Sequence, residues 1–411
     1  YFKKFLEYKF TADLDVREER YEEAILKYEL IAEKYGISPE SLHALAYCQY
    51  KTGDQTRALD TYQQLITFNE QDGLAKNNLK VIESEQSDYE KTAAEPVKSV
   101  VEKFQVAQSL PISNKKKMNQ KLSIVEDLNC IWTGHSICGE GPLWIPEEQA
   151  LYWVDIDGCK AHRFQLEGGE VKSWDFPEKT GWILPREGRS DFIAGCKSGI
   201  YRVDLESGVR EKMVDPESEI SENRFNDAKV DAEGRIWTGS MDDLEVNPTG
   251  WLYRIDPDWS YSKWDGPYKV TNGPAITNDG KTLYHVDTFG PCIYAFDKND
   301  DGSLSNRRLF AELKPGEGGA DGLTVDDENA VWLAHWGGSR ITRFLPDGTI
   351  DGILEMPVPQ VTSCAFGGPD RNLLFITTAA RNLDLNEFPL AGGVFCAKTS
   401  VTGQASPRFK G

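Results

Sequence analysis

Apolar positions change period once along the chain. Over residues 1–108 they recur at helical spacing in stretches rich in Glu, Lys, Ala, Leu and Tyr, which predicts helices. From about residue 125 the period becomes two. Leu151-Tyr-Trp-Val-Asp155, Gly199-Ile-Tyr-Arg-Val203, Arg235-Ile-Trp-Thr-Gly239 and Gly250-Trp-Leu-Tyr-Arg254 read as short strands, as do Thr282-Leu-Tyr-His-Val286, Val331-Trp-Leu-Ala334 and Asn372-Leu-Leu-Phe-Ile376. Turn signals such as Glu233-Gly234, Asn278-Asp279-Gly280 and Pro346-Asp347-Gly348 separate them. Residues 109–124, with Ser109-Leu-Pro-Ile-Ser-Asn followed by Lys115-Lys116-Lys117, read as a linker whose lysines are solvated. Many short strands with regular turns fit a sandwich, a barrel or a propeller. Spacing favours the last. Gly234 and Gly280 stand 46 apart, and Asp321-Gly322 follows Asn272-Gly273 by 49. A unit of roughly 45 to 50 residues suits a four-stranded blade, and residues 125–411 hold about six of them.

The helical part carries its own repeat. Ala24 and Ala58, Tyr28 and Tyr62, and Ile31 and Leu65 are each 34 residues apart, and Gly53 lies in the turn before the second of these helices. The small Ala lets neighbouring helices approach, and the aromatic fills the gap between them. Over roughly residues 15–85 this resembles the tetratricopeptide repeat, although Glu70 stands where that repeat usually has Pro. The expected architecture is therefore multidomain α and β. A tetratricopeptide-like helical domain (1–108) and a linker (109–124) precede a six-bladed β-propeller (125–411). A concave helical array implies a protein partner.

Composition narrows the partners further. The chain has 411 residues, with 66 acidic and 46 basic side chains and a formal net charge of −20. Phosphate backbones are repelled by such a surface, so nucleic acid is not an expected partner. No run of about 18 apolar residues predicts a transmembrane helix. Eight cysteines without a CxxC pair read as free thiols of a reducing cytoplasmic or organellar compartment, although Cys130 and Cys138 are near enough in sequence to bridge in an oxidising one. The sequence begins at Tyr1 rather than Met, so a truncated or processed N-terminus is expected.

Four short motifs carry candidate chemistry: Glu140-Gly-Pro-Leu-Trp144, Arg224-Phe-Asn-Asp227, Asn272-Gly-Pro274 and Ala320-Asp-Gly-Leu323. Their polar residues Glu140, Asn226, Asn272 and Asp321 are separated by 86, 46 and 49, about two, one and one blade. A propeller brings equivalent places of different blades to its central channel. Two carboxylates and two amides there make an all-oxygen set suited to Ca²⁺, Mg²⁺ or Mn²⁺, with Zn²⁺ less favoured. Other patterns lead elsewhere. Asp297-Lys-Asn-Asp-Asp-Gly302 opens like a calcium loop but has Arg308 where the twelfth ligand would be Glu, so it reads as a hairpin turn. Asp155-Ile-Asp-Gly158 is likewise a turn. The five His have no HxxxH spacing; His285 and His335 read as core residues or pocket lining. No GxSxG elbow or phosphate loop is present.

The second half resembles the SMP-30/gluconolactonase/luciferin-regenerating-enzyme family, which includes regucalcin and bacterial sugar lactonases. The matching stretches run in order. They include the four motifs, Trp153-Val-Asp-Ile-Asp-Gly158, Lys229-Val-Asp231, Gly239-Ser-Met-Asp242 and Asp279-Gly-Lys-Thr-Leu-Tyr284. Trp336-Gly-Gly338, Thr362-Ser-Cys-Ala-Phe-Gly-Gly368 and Ala391-Gly-Gly-Val-Phe395 complete the series. The resemblance implies a six-bladed propeller binding one divalent cation, calcium favoured, through Glu140, Asn272 and Asp321. Arg224 and Asn226 would hold the substrate, and Asp321 would act as the base. Ala228, Ser240 and Ile276 depart from the residues common in the family.

A cation beside a lactone carbonyl stabilises its tetrahedral oxyanion, and a carboxylate there can take a proton from water. The fixed donor fork of Arg224 suits sugar oxygens, its alternative being a structural ion pair; Asn226 offers a donor and an acceptor to a hydroxyl. The expected function is a metal-dependent lactonase acting on an aldonolactone or similar sugar lactone. The alternatives are a weakly catalytic or non-catalytic propeller serving as a scaffold in a larger assembly, and a calcium-handling protein.

Overall fold

The structure, a computed structural model, describes residues 124–411 throughout and, before them, residues 24–29, 45–46, 48–49, 52, 57–58 and 60–62. The chain divides into two compact units, Tyr1–Lys115 and Lys116–Gly411. Most of the 34-residue repeat and nearly all of the linker lie outside the described residues. Within them, Ala24, Tyr28, Ala58 and Tyr62 are helical and buried. No helix among the described residues is long and apolar enough to cross a membrane.

The second unit is a six-bladed β-propeller of four-stranded antiparallel sheets. β1 (Ile124–Trp132) comes first, followed by blade I: β2 (Gly139–Ile145), β3 (Ala150–Asp155), β4 (Lys160–Gln165) and β5 (Val171–Asp175). Blade II is β6 (Thr180–Pro185), β7 (Phe192–Cys196), β8 (Gly199–Val203) and β9 (Arg210–Val214). Blade III is β10 (Asn223–Val230), β11 (Ile236–Asp242), β12 (Gly250–Ile255) and β13 (Tyr261–Tyr268). Blade IV is β14 (Thr271–Ile276), β15 (Thr282–Asp287), β16 (Cys292–Lys298) and β17 (Leu304–Glu312). Blade V is β18 (Gly319–Val325), β19 (Val331–Trp336), β20 (Arg340–Phe344) and β21 (Ile350–Glu355). β22 (Val361–Gly367), β23 (Leu373–Thr378) and β24 (Val394–Thr399) form blade VI with β1, which pairs with β24 and closes the ring with the start of the unit.

Inner and middle strands are buried on both faces, whereas outer strands such as β5 and β17 alternate or face solvent. The core is accordingly a series of apolar layers between neighbouring blades rather than one centre. Trp182 of blade II packs with Phe225 of blade III, and Trp144 of blade I stacks on Phe375 of blade VI at 5.5 Å. Two layers are pinned by an Asp accepting from a Trp indole six residues on: Trp237 to Asp231 at 2.9 Å and Trp332 to Asp326 at 2.8 Å. Arg235 and Arg343 neutralise those buried carboxylates. All eight cysteines are free, so Cys130 and Cys138 form no bridge. Asp155 closes its turn by accepting from Gly158 N–H at 3.0 Å, and residues 299–303 form the hairpin turn expected from their sequence.

Two features place the site. Each inner strand carries a register break against its middle strand; four of these fall between Glu140 and Leu143, Phe225 and Ala228, Asn272 and Ala275, and Ala320 and Leu323. The motifs noted in the sequence are these bulges, which re-aim side chains into the channel. Residues 401–411 then cross the opposite end of the channel as a strap. Thr402 O takes Asp327 N–H, Gly403 N–H reaches Arg371 O, Gln404 reaches Ile276 O, and Phe409 N–H reaches Pro185 O. Arg408 pairs with Glu147, and Lys410 N–H reaches Gly234 O, so the strap bonds to all six blades.

Candidate active site

The bulges bring Glu140 from blade I, Asn226 from blade III, Asn272 from blade IV and Asp321 from blade V to one cavity of about 250 Å³, which Arg224 also lines. All five side chains are buried. Their positions within the bulges differ. Glu140 and Asn272 open theirs, whereas Asn226 and Asp321 are one residue further in. Gly141, at φ 56°, takes the left-handed turn that follows Glu140, and its N–H donates back to Glu140 Oε2 at 2.8 Å. Asp321 Oδ1 accepts from Gly322 N–H at 3.0 Å. A Cβ on Gly322 would stand 2.2 Å from Ser363 Oγ, so that position admits only the smallest residue at the approach of β18 to β22.

A hydrogen-bond chain orders the polar wall. Arg224 Nη1 donates to Asn226 Oδ1 at 2.6 Å, Asn226 Nδ2 donates to Asn272 Oδ1 at 3.0 Å, and Asn272 Nδ2 donates to Thr288 Oγ1 at 2.9 Å. Arg224 Nε meets Asp243 at 3.1 Å, so the guanidinium both lines the cavity and is held by an ion pair. Val270, Phe289 and Trp336 supply an apolar wall on the side of blades IV and V.

Three carboxyls crowd the channel. Burial raises Glu140 to about 8, with the charge of Asp227 adding to it and the Gly141 N–H opposing. Burial, then the charges of Glu140 and Asp227, push Asp321 well above the ordinary carboxyl range. Burial raises Asp227 to about 6. Such groups gain from a cation placed among them. Among the described residues no group of three His, Cys, Asp or Glu stands ready to hold a metal by itself, so an oxygen site here needs the Asn272 amide.

Asp227 belongs to a motif visible in the sequence but was given no role there; it is buried, and its Oδ2 has no hydrogen-bond partner. Its adjacency to Asn226 inside the bulge was the available signal. Cys138, Trp336 and Arg381 also line the cavity. Arg381 lies in the irregular segment after β23, where no periodicity marks it. The two histidines are core residues: His285 is buried 5.2 Å from the Tyr268 ring, and His335 Nδ1 lies 2.7 Å from Glu317 O.

A family model described as the SMP-30/Gluconolactonase/LRE-like region matches residues 138–380. The chain is 34% identical over 290 residues to the 6-deoxy-6-sulfogluconolactonase of Pseudomonas putida, a match covering 70% of this chain and 99% of that one. It is 32% identical to the L-arabinolactonase of Azospirillum brasilense, with 66% and 92% covered. Among solved structures, a luciferin-regenerating enzyme superposes with a TM-score of 0.65 at 29% identity, covering 70% of this chain and all of that one.

Proposed function

The chain belongs to the SMP-30/Gluconolactonase/LRE-like family, and from that premise we propose that it is a lactonase, opening an aldonolactone or similar sugar lactone to its hydroxy acid. One observation carries this reading: four blades deliver Glu140, Asn226, Asn272 and Asp321, with Arg224, to a single cavity. The names of the bacterial relatives, both sugar lactonases, support it.

The donor set fits a divalent cation. Glu140, Asn272 and Asp321 offer oxygen only, which favours Ca²⁺ and admits Mg²⁺ or Mn²⁺ before Zn²⁺. Burial holds the Glu140 and Asp321 carboxyls above the ordinary carboxyl range, and a cation between them would favour their ionised form. When bound, the cation supplies Lewis-acid stabilisation of charge developing on the lactone carbonyl oxygen. The chain's own residues do the rest. Arg224, fixed by Asp243, presents donors to ring hydroxyls, and Asn226, fixed by Arg224 and Asn272, orients the ring. Asp321, oriented by the Gly322 N–H on its Oδ1, takes the proton of the attacking water. The strap crosses the far end of the channel, away from the cavity that holds these residues. In this reading the helical segment, where the Ala24/Tyr28 spacing recurs at Ala58/Tyr62, serves as a protein contact.

The test is proton release at fixed pH from D-glucono-1,5-lactone and a panel of pentonolactones, after chelation and with each divalent ion restored. Hydrolysis restored by metal and lost in Asp321→Asn supports the reading; a metal-loaded protein inert on every lactone refutes it.

A further inference from the structure

The rim of the cavity is electrically lopsided. On the side of blades I, II, III and VI, one continuous ion-pair network reaches it through Arg224, Glu245 and Arg381. Arg224 and Lys197 meet Asp243 at 3.1 and 2.6 Å, and Lys179 bridges Asp243 and Asp157 at 2.8 and 3.0 Å. Arg381 then joins Asp157 at 3.5 Å to Glu245 at 2.7 Å. The network holds four cations against three carboxylates, an excess of one positive charge. Blades IV and V add the apolar surfaces of Val270, Phe289 and Trp336 beside Asn272, Thr288 and Asp321.

Arg381 is the member placed to use that excess. It and Glu245 line the cavity together, each about one-third exposed at the side chain. Its Nη1 donates to Glu245 and its Nε faces Asp157, while its Nη2 makes no hydrogen bond among the described residues. Arg224 is buried deeper in the cavity, with Nε on Asp243 and Nη1 on Asn226, whereas Arg381 is the guanidinium exposed at the rim. The mouth of the cavity thus has a planar guanidinium with an unbonded Nη2, held between Asp157 and the part-exposed Glu245, the partner an incoming anion can replace. Guanidinium forks favour planar or tetrahedral oxyanions through paired hydrogen bonds.

Resting on the lactonase reading, we infer that the site is built for a lactone whose distal carbon carries an anionic group, a sulfonate, phosphate or carboxylate. The lactone carbonyl lies toward Asp321, the ring passes along Trp336 and Phe289, and the anionic end meets Arg381, displacing Glu245.

The experiment compares kcat/KM for D-glucono-1,5-lactone with the same lactone bearing a phosphate or a sulfonate at C6, in metal-loaded full-length chain. Arg381→Ala, Arg381→Lys and Glu245→Gln are measured beside it. The wild type should favour the anionic lactones at least tenfold. Arg381→Ala should cut that ratio about tenfold or more, Arg381→Lys should restore part of it, and Glu245→Gln should raise it. Calorimetric titration with the corresponding aldonates gives the same ranking without turnover. Hydrolysis of the neutral lactone with no anionic preference, or a ratio that Arg381→Ala leaves unchanged, overturns the inference while the lactonase reading stands. Failure on every lactone removes both.

Discussion

Chelating the divalent cation should make the stability of the propeller fall as pH rises, and Glu140 sets much of the size of the fall. Burial takes its carboxyl from the ordinary 4.5 to about 8. The folded chain then keeps a proton that the unfolded chain releases above about pH 4.5. The stabilisation is complete below that pH and is lost as pH rises through about 8. At ~1.4 kcal/mol per pH unit, the interval corresponds to at most ~5 kcal/mol. For a domain of this size that is roughly 10 °C in Tm. A bound cation holds the same carboxylate ionised at no such cost, so the gap between loaded and chelated protein should widen from pH 5 to pH 9. The assay is thermal unfolding followed by circular dichroism across that range, with and without chelator. Glu140→Gln under chelator should flatten the curve by more than half, because it also removes the charge that lifts Asp321. A chelated wild type whose Tm stays level between pH 5 and 8.5, or a Glu140→Gln variant that tracks it, would refute the reasoning.

Asp321→Asn should lower kcat for lactone hydrolysis by about a hundredfold or more, the usual range for a general base, as measured by proton release at saturating metal. Gly322→Ala should destabilise the metal-free propeller by ~1–3 kcal/mol in urea unfolding, since the new methyl meets Ser363 Oγ at 2.2 Å and Thr362 O at 2.9 Å. Lys229→Met should bind calcium several-fold more tightly at pH 9 by calorimetry, because Lys229 acts as a rival positive charge on Glu140 and Asp227.

The six blades were legible because strand and turn chemistry repeats along the chain, and the repeat follows from each sheet having to bury both faces against its neighbours. The site was legible less evenly. Spacings of 46 and 49 between Asn226, Asn272 and Asp321 treat these residues as equivalents, yet Asn272 is the first residue of its bulge and the other two are the second of theirs. A regular strand would turn neighbouring residues to opposite faces, so a one-residue offset would have pointed one of them into a blade interface. The bulge lifts that restriction, and no period in the sequence announces it. Arg381 and Phe289 carry no sequence signal for a different reason. They sit in loops, where a residue's place depends on the closed ring rather than on its neighbours in sequence. The strap is similar: Phe409 is fully buried, but only because distant Pro185 and Glu187 receive its backbone.

The charge inside the channel ties these features together. Glu140, Asp227 and Asp321 are all buried near one another, and their first source of strain is burial itself. Lys229, which lines the far cavity beneath them, lowers both Glu140 and Asp227, so the chain supplies one positive charge against three potential negative ones. Two of the three must therefore hold protons or share a cation. A proton held on Asp321 would leave it unable to accept one from water, which is the role proposed for it. A single divalent ion would balance the remaining two charges and free Asp321 for the role of base proposed for it. The same count accounts for Asp227: its orphaned Oδ2 sets how much positive charge the channel must take up, even though Glu140, Asn272 and Asp321 are the residues proposed to touch the ion. Replacing Asp227 by Asn would leave the channel one charge short of needing a divalent ion, so the affinity for that ion should weaken although no proposed ligand has been altered.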